Sequence, residues 1–131
     1  SNTYMCKFGK IYSSLLILEF LLADEGPGDG GLALVPGGHK ANFPIPDGLR
    51  GNEAYHDHIL EVNGKAGDAI IFNEVTIHGT LVWRGKHQRR ALLYHYRPRY
   101  QSSSTIYDDI TYPDWVADMS AEQRELLRPP H

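Results

Sequence analysis

GDAIIFNEVTIHGTLVWRGKHQRRALLYHY, residues 67–96, sets two apolar runs around a polar middle. The first run, residues 69–72 (AIIF), follows a Gly67-Asp68 turn. The second, residues 91–96 (ALLYHY), has Arg89 and Arg90 at its mouth. Both runs have the length and the β-branched and aromatic content of buried strands, and the residues between them read as a polar loop. His78, followed at once by Gly79, lies in that loop. Pairing the runs as a hairpin predicts that His78 and Arg89 point into one cavity. Neutral imidazole is a common metal ligand. A guanidinium fork matches a carboxylate, and a buried arginine needs an anion beside it. That anion is either a ligand or an acid of the protein surface, and the stretch alone leaves both open.

The flanks repeat the pattern of short strands and Gly/Pro turns. Residues 11–23 (IYSSLLILEFLLA) read as a strand buried on both faces, with a short helix as the alternative by periodicity. Residues 24–31 (DEGPGDGG) form a turn, and their spacing does not match a calcium-binding EF-hand loop. Residues 32–35 (LALV) make a strand ended by Pro36-Gly37-Gly38. A Pro- and Gly-containing loop over residues 42–52 leads to His56-Asp57-His58 and a short strand, residues 59–62 (ILEV). Residues 1–10 show little pattern. Near the end, Ser120 with Gln123 three residues on is a capping signature for a helix over residues 122–127, stopped by Pro129 and Pro130. Many short strands and one terminal helix predict an all-β sandwich or jelly roll rather than a βαβ fold.

At 131 residues the chain is one domain's worth, with core strands over residues 11–97 and a tail with its helix over residues 98–131. Hydrophobic residues at 41% and charged residues at 22% are ordinary globular values. The net charge of −3 argues against a nucleic-acid partner. The longest apolar run is too short to span a bilayer, so no membrane partner is expected. The lone Cys6 excludes an intrachain disulfide and fits a reducing compartment, so the expected location is cytoplasmic.

PGDGGLALVPGGHKANFPIP (residues 27–46) and GDAIIFNEVTIHGTLVW…QRRALLYHYRP (residues 67–98) resemble, in order and spacing, two segments of the phytanoyl-CoA dioxygenase family. The tail PDWVADMSAEQRELLRPP is similar to that of bacterial members. The resemblance implies a double-stranded β-helix (a cupin-like jelly roll) and an Fe(II)- and 2-oxoglutarate-dependent dioxygenase acting on a small organic substrate. It places His78 at the distal metal-ligand position. It places Arg89 where an arginine binds the far carboxylate of 2-oxoglutarate, with Arg90 the choice if the register slips by one. Asn73 and Tyr94 are candidates for the substrate cavity, and Trp83 is expected either to line that cavity or to cap the core. His39 matches the histidine of the family's P-G-S-H segment, which is not a metal ligand, and Gly38 stands in place of its serine.

One family feature is absent. The family's other two ligands form an H-x-D pair upstream of residues 11–23, and residues 1–10 contain neither His nor Asp. His56-Asp57-His58 is the only dense His/Asp cluster, and it lies after the PGGHK segment. The expectation is therefore a jelly roll incomplete at its N-terminal side and close to inactive alone, with an exposed sheet edge that favours a homodimer. Two rivals stand beside it: a non-catalytic cupin-like binding domain, and a metal protein using His56, His58 and His78.

Overall fold

A computed structural model describes residues 3–41, 43–49, 57–98 and 111–127. The chain falls into two compact units, Ser1–Tyr96 and Arg97–His131.

The first unit holds eight strands: β1 (Tyr4–Lys7), β2 (Lys10–Ser13), β3 (Leu16–Leu21), β4 (Gly31–Leu34), β5 (Leu60–Glu61), β6 (Ala69–Asn73), β7 (His78–Leu81) and β8 (Ala91–Tyr96). They form a β1-β2 hairpin and two antiparallel three-stranded sheets, ordered β6-β3-β8 and β5-β4-β7. From β3 onward the chain passes between the two sheets, as a jelly roll does.

The outer runs of the 67–96 stretch do not pair with each other as a hairpin. β3 enters between them, with Glu19 opposite both Ile70 of β6 and Leu93 of β8. The polar middle also contains a strand, β7, which joins the other sheet through Leu34↔His78 and Leu32↔Thr80. The run over residues 11–23 is two strands, not one. Ser14 splits it, its backbone N–H donating to the Thr3 carbonyl at 3.0 Å and its Oγ accepting from the Thr3 N–H at 2.6 Å.

β3 alternates, as a strand with one buried face must. Ile17, Glu19 and Leu21 are buried, whereas Leu16 on the opposite face is 42% exposed. It is therefore buried on one face and not on both. Ile17, Phe72 and Leu32 form the centre of the core, with Leu34, Val62 and Ile70 packed against them. β8 is not a buried strand either. Leu92, Leu93, Tyr94 and Tyr96 are all substantially exposed. Tyr94, Leu18 and Ile71 stand in one row across the outer face of the β6-β3-β8 sheet, because directly opposed residues point the same way.

The β1-β2 hairpin turns on Phe8 (φ 52°) and Gly9 (φ 71°). A two-residue turn of this kind favours Asn-Gly, and Phe8 is strained at positive φ while 88% exposed. Phe8→Asn is expected to stabilise the unit by about 0.5–1 kcal/mol. Urea unfolding showing a lower midpoint for the variant contradicts this account.

In the second unit a 3-10 turn, Asp114–Asp118, precedes α1 (Ala121–Leu127). The Ser120 N–H donates to Gln123 Oε1 at 2.8 Å, and the Gln123 N–H donates to Ser120 Oγ at 3.2 Å. This is the reciprocal cap that the spacing predicts. No helix among the described residues is long and apolar enough to cross a membrane.

Candidate functional site

The inner face of the first unit carries the chemistry. His78 opens β7 opposite Leu34, and Leu34 packs on the core, so the imidazole lies on the inward side of its sheet. Its ring meets Phe72 edge-on at 5.2 Å. Nδ1 lies 2.7 Å from the Thr76 carbonyl oxygen. A carbonyl only accepts, so Nδ1 carries the proton and donates it, which leaves Nε2 with a free lone pair. The cleft beside His78 is lined by Phe43, Ile45, Glu74 and Thr76 among others. Glu74 Oε2 is buried and lies 3.9 Å from His95 Nε2 on β8.

Arg89 sits just before β8. Ala91 stands opposite Leu21, and Arg89, two residues earlier, turns to the same inward side. Its Nη2 donates to Glu19 Oε1 at 2.7 Å, and its Nε forms an ion pair with Glu25 Oε1 at 2.9 Å. The Glu19 and Glu25 side chains are 1% and 0% exposed, while that of Arg89 is 24% exposed. Two buried carboxylates thus share one guanidinium. Glu19 Oε2 and both Glu25 oxygens find no hydrogen-bond partner among the described residues. Burial pushes the Glu19 carboxyl above its usual range; Arg89 opposes that rise and Glu25 adds to it. Gly31, at φ 92°, makes room for this cluster, because a Cβ there would lie 2.3 Å from Glu25 Oε2. The anion beside Arg89 is therefore two internal acids, not the surface acid that was one of the two alternatives. The legible clue is Glu19 itself: an acid at an inward position of an otherwise apolar strand requires a buried cation.

The remaining site residues fall elsewhere. Arg90 is exposed, and its guanidinium donates from Nε and Nη2 to Gln88 Oε1 at 3.1 and 2.9 Å. Trp83 closes the loop before β8: its Nε1 donates to the His87 carbonyl at 2.7 Å, and its ring covers Gly85. Asn73 stands opposite Leu16 on the outer face, donates to Ser13 Oγ and accepts from the Val75 N–H at 2.9 Å. Tyr94 packs edge-on with Phe20 at 6.0 Å, also on the outer face. Neither Asn73 nor Tyr94 shares the face that carries His78. His39 meets Tyr4 of β1 edge-on at 4.5 Å. Gly38 is more than the loss of a hydroxyl, since any Cβ there would lie 3.0 Å from the Ile77 backbone nitrogen. His56 lies outside the described residues, and among those described no group of three His, Cys, Asp or Glu comes together to hold a metal.

Asp24 and Asp29 of residues 24–31, and Glu61 facing them, serve the backbone. Asp24 Oδ1 accepts from the Ala66 N–H, Asp29 Oδ2 from the Gly26 N–H, and Glu61 Oε1 from the Gly30 N–H, at 2.8–2.9 Å. The Ala66 bond and the Lys65 ammonium hold the Asp24 carboxyl below its usual range.

The sequence matches the phytanoyl-CoA dioxygenase (PhyH) family over residues 3–91. The chain belongs to that family. Solved structures agree: HygX from Streptomyces hygroscopicus, with nickel, 2-oxoglutarate and hygromycin B bound, is 30% identical over 73% of this chain at a TM-score of 0.61. HygX with iron bound is 29% identical over 73% of this chain, also at 0.61. This PhyH chain spans only 40% and 42% of those two structures. No curated protein matches it significantly. The fold is the double-stranded β-helix of these cupin-like oxygenases, and the family's cofactors are iron and 2-oxoglutarate.

Proposed function

We propose that this chain carries one iron ligand and the cosubstrate clamp of an Fe(II)- and 2-oxoglutarate-dependent dioxygenase acting on a small organic molecule. In this reading His78 binds the metal through Nε2. Arg89 holds the far carboxylate of 2-oxoglutarate. The observation that carries it is the Nδ1–H bond from His78 to Thr76, which fixes the ring in the tautomer a metal ligand needs. His78 heads β7 and Arg89 immediately precedes β8 of the other sheet, both on the inward side, which supports the pairing.

The fit is partial. His78 supplies one donor of a facial triad, and the other two come from beyond the described residues in this proposal. Bound iron supplies oxygen activation, with 2-oxoglutarate as the co-reductant. The chain's own part is to orient: Thr76 sets the imidazole, Phe72 backs it, and Arg89 presents charge at the opposite sheet. The family's name does not set the substrate. Hygromycin B in HygX supports a small organic molecule as the class and nothing narrower.

A second reading, a non-catalytic binding domain, is favoured by one observation: Arg89 is already engaged by Glu19 and Glu25. Anaerobic calorimetric titration of 2-oxoglutarate, with and without Fe(II), separates the two. The oxygenase reading expects metal-dependent binding, roughly micromolar to millimolar. His78→Ala removes the metal dependence. Arg89→Lys keeps the charge, loses the fork, and weakens binding about tenfold. Binding indifferent to Fe(II) and to His78→Ala leaves the non-catalytic reading.

A further inference from the structure

A carboxylate arriving at Arg89 meets a site that is already negative. With both carboxyls ionised, Glu19 and Glu25 set two negative charges against the one of Arg89. A third carboxylate on one guanidinium is electrostatically untenable unless a proton enters with it. We propose that Glu19 controls the occupancy of Arg89: a dicarboxylate binds there only as Glu19 takes up one proton from solvent. The protonated acid then changes from competitor to hydrogen-bond donor. This rests on the clamp reading of Arg89 given above.

Glu19 is the group that changes in this proposal. Glu25 is fixed by its backbone, whose N–H donates to the Gly64 carbonyl at 3.0 Å and whose carbonyl accepts from the Gly64 N–H at 2.9 Å. Its carboxylate also fills the space under Gly31. Glu19 Oε1 is held by Arg89, but its Oε2 is buried with no hydrogen-bond partner among the described residues and is the atom for the proton. The strand neighbours of Glu19 carry no charge. Opposite Glu19 stand Ile70 from β6 and Leu93 from β8, both apolar, and Ile17 and Leu21 flank it on β3. His95 is one row along the same face and lies by Glu74, at 3.9 Å. Burial already favours the neutral form of Glu19.

The test is anaerobic titration of 2-oxoglutarate with Fe(II) between pH 6 and pH 8.5, in buffer pairs of different ionisation enthalpy. These count the protons taken up. The wild type is expected to take up close to one proton per ligand above the pH at which Glu19 ionises in the folded protein. Its affinity falls there about tenfold per pH unit. Glu19→Gln, which donates as the protonated acid does, removes both the uptake and the slope. Glu19→Met, a second variant for the case where the first folds poorly, also removes the slope but binds less tightly than Glu19→Gln. A wild-type proton uptake that persists in both variants overturns the inference while the Arg89 reading stands. Binding that Arg89→Lys leaves unchanged overturns the clamp reading and this inference with it. Absence of binding in every form does the same.

Discussion

Arg89→Ala is expected to cost about 3–5 kcal/mol of stability at neutral pH, because it leaves two buried carboxylates without their cation. A domain of this size has only about 5–15 kcal/mol in total, so the variant stands near the edge of folding. The carboxylates of Glu19 and Glu25 are at most 1% exposed and have no water to retreat into. Glu19 escapes by taking up a proton, so the deficit shrinks as pH falls. Urea unfolding at pH 7.5 and pH 4.5, wild type against variant, reads both parts. A loss under about 1 kcal/mol at pH 7.5 means that the guanidinium is solvated and the cluster carries no folding energy. Glu19→Gln should behave in the opposite sense. A carboxyl whose folded pKa is raised weakens the fold as pH climbs through it, so removing its charge is neutral or stabilising at pH 8 and the difference fades in acid.

Gly30→Ala is expected to lose about 2–5 kcal/mol, combining a left-handed backbone with a clash that cannot relax. Gly30 has φ 91°, and a Cβ there would stand 2.2 Å from the Val82 carbonyl oxygen and 2.9 Å from its carbon. These are backbone atoms, and the neighbouring Arg84 N–H is tied to the Asp29 carbonyl at 2.7 Å, so the strand end has nowhere to move. Gly28→Ala is the control. Gly28 also has positive φ (82°), but a Cβ there meets nothing within 4 Å, so only the conformational cost of about 1 kcal/mol applies. Thermal unfolding of the two variants side by side isolates the clash. Equal losses mean that the Val82 contact relaxes freely.

Elements whose signal is local were legible in the sequence. β4, β6 and β8 coincide closely with apolar runs, the first two behind Gly-containing turns, and the Ser120 cap follows from a three-residue spacing. Elements whose signal is tertiary were not. β7 begins at His78 and contains a glycine and a threonine; it is a strand because β4 offers it an edge. The β1-β2 hairpin depends on Phe8 accepting a conformation few aromatic residues adopt. The pairing of β6 and β8 with β3 instead of with each other is a choice of partner, which periodicity does not encode. At the candidate site, residue types pointed to His78 and Arg89. What occupies Arg89 was hidden, because Glu19 lies in a run read for its hydrophobicity and Glu25 in a run read for its turns.

The central place of β3 has a consequence for the order in which the chain folds. Arg89 and Glu19 are 70 residues apart along the chain, yet they meet side by side. A ribosome therefore releases the middle strand of the sheet long before either flanking strand, and long before the cation its acid needs. Pairings this distant make folding slow, on the order of milliseconds to seconds. Until β6 and then β8 emerge, Leu16–Leu21 is an apolar strand with an unpaired edge and an acid facing solvent. In that interval Glu19 has a protective part to play: ionised in water, it interrupts a run that would otherwise aggregate, and it surrenders that charge to the interior only when Arg89 arrives.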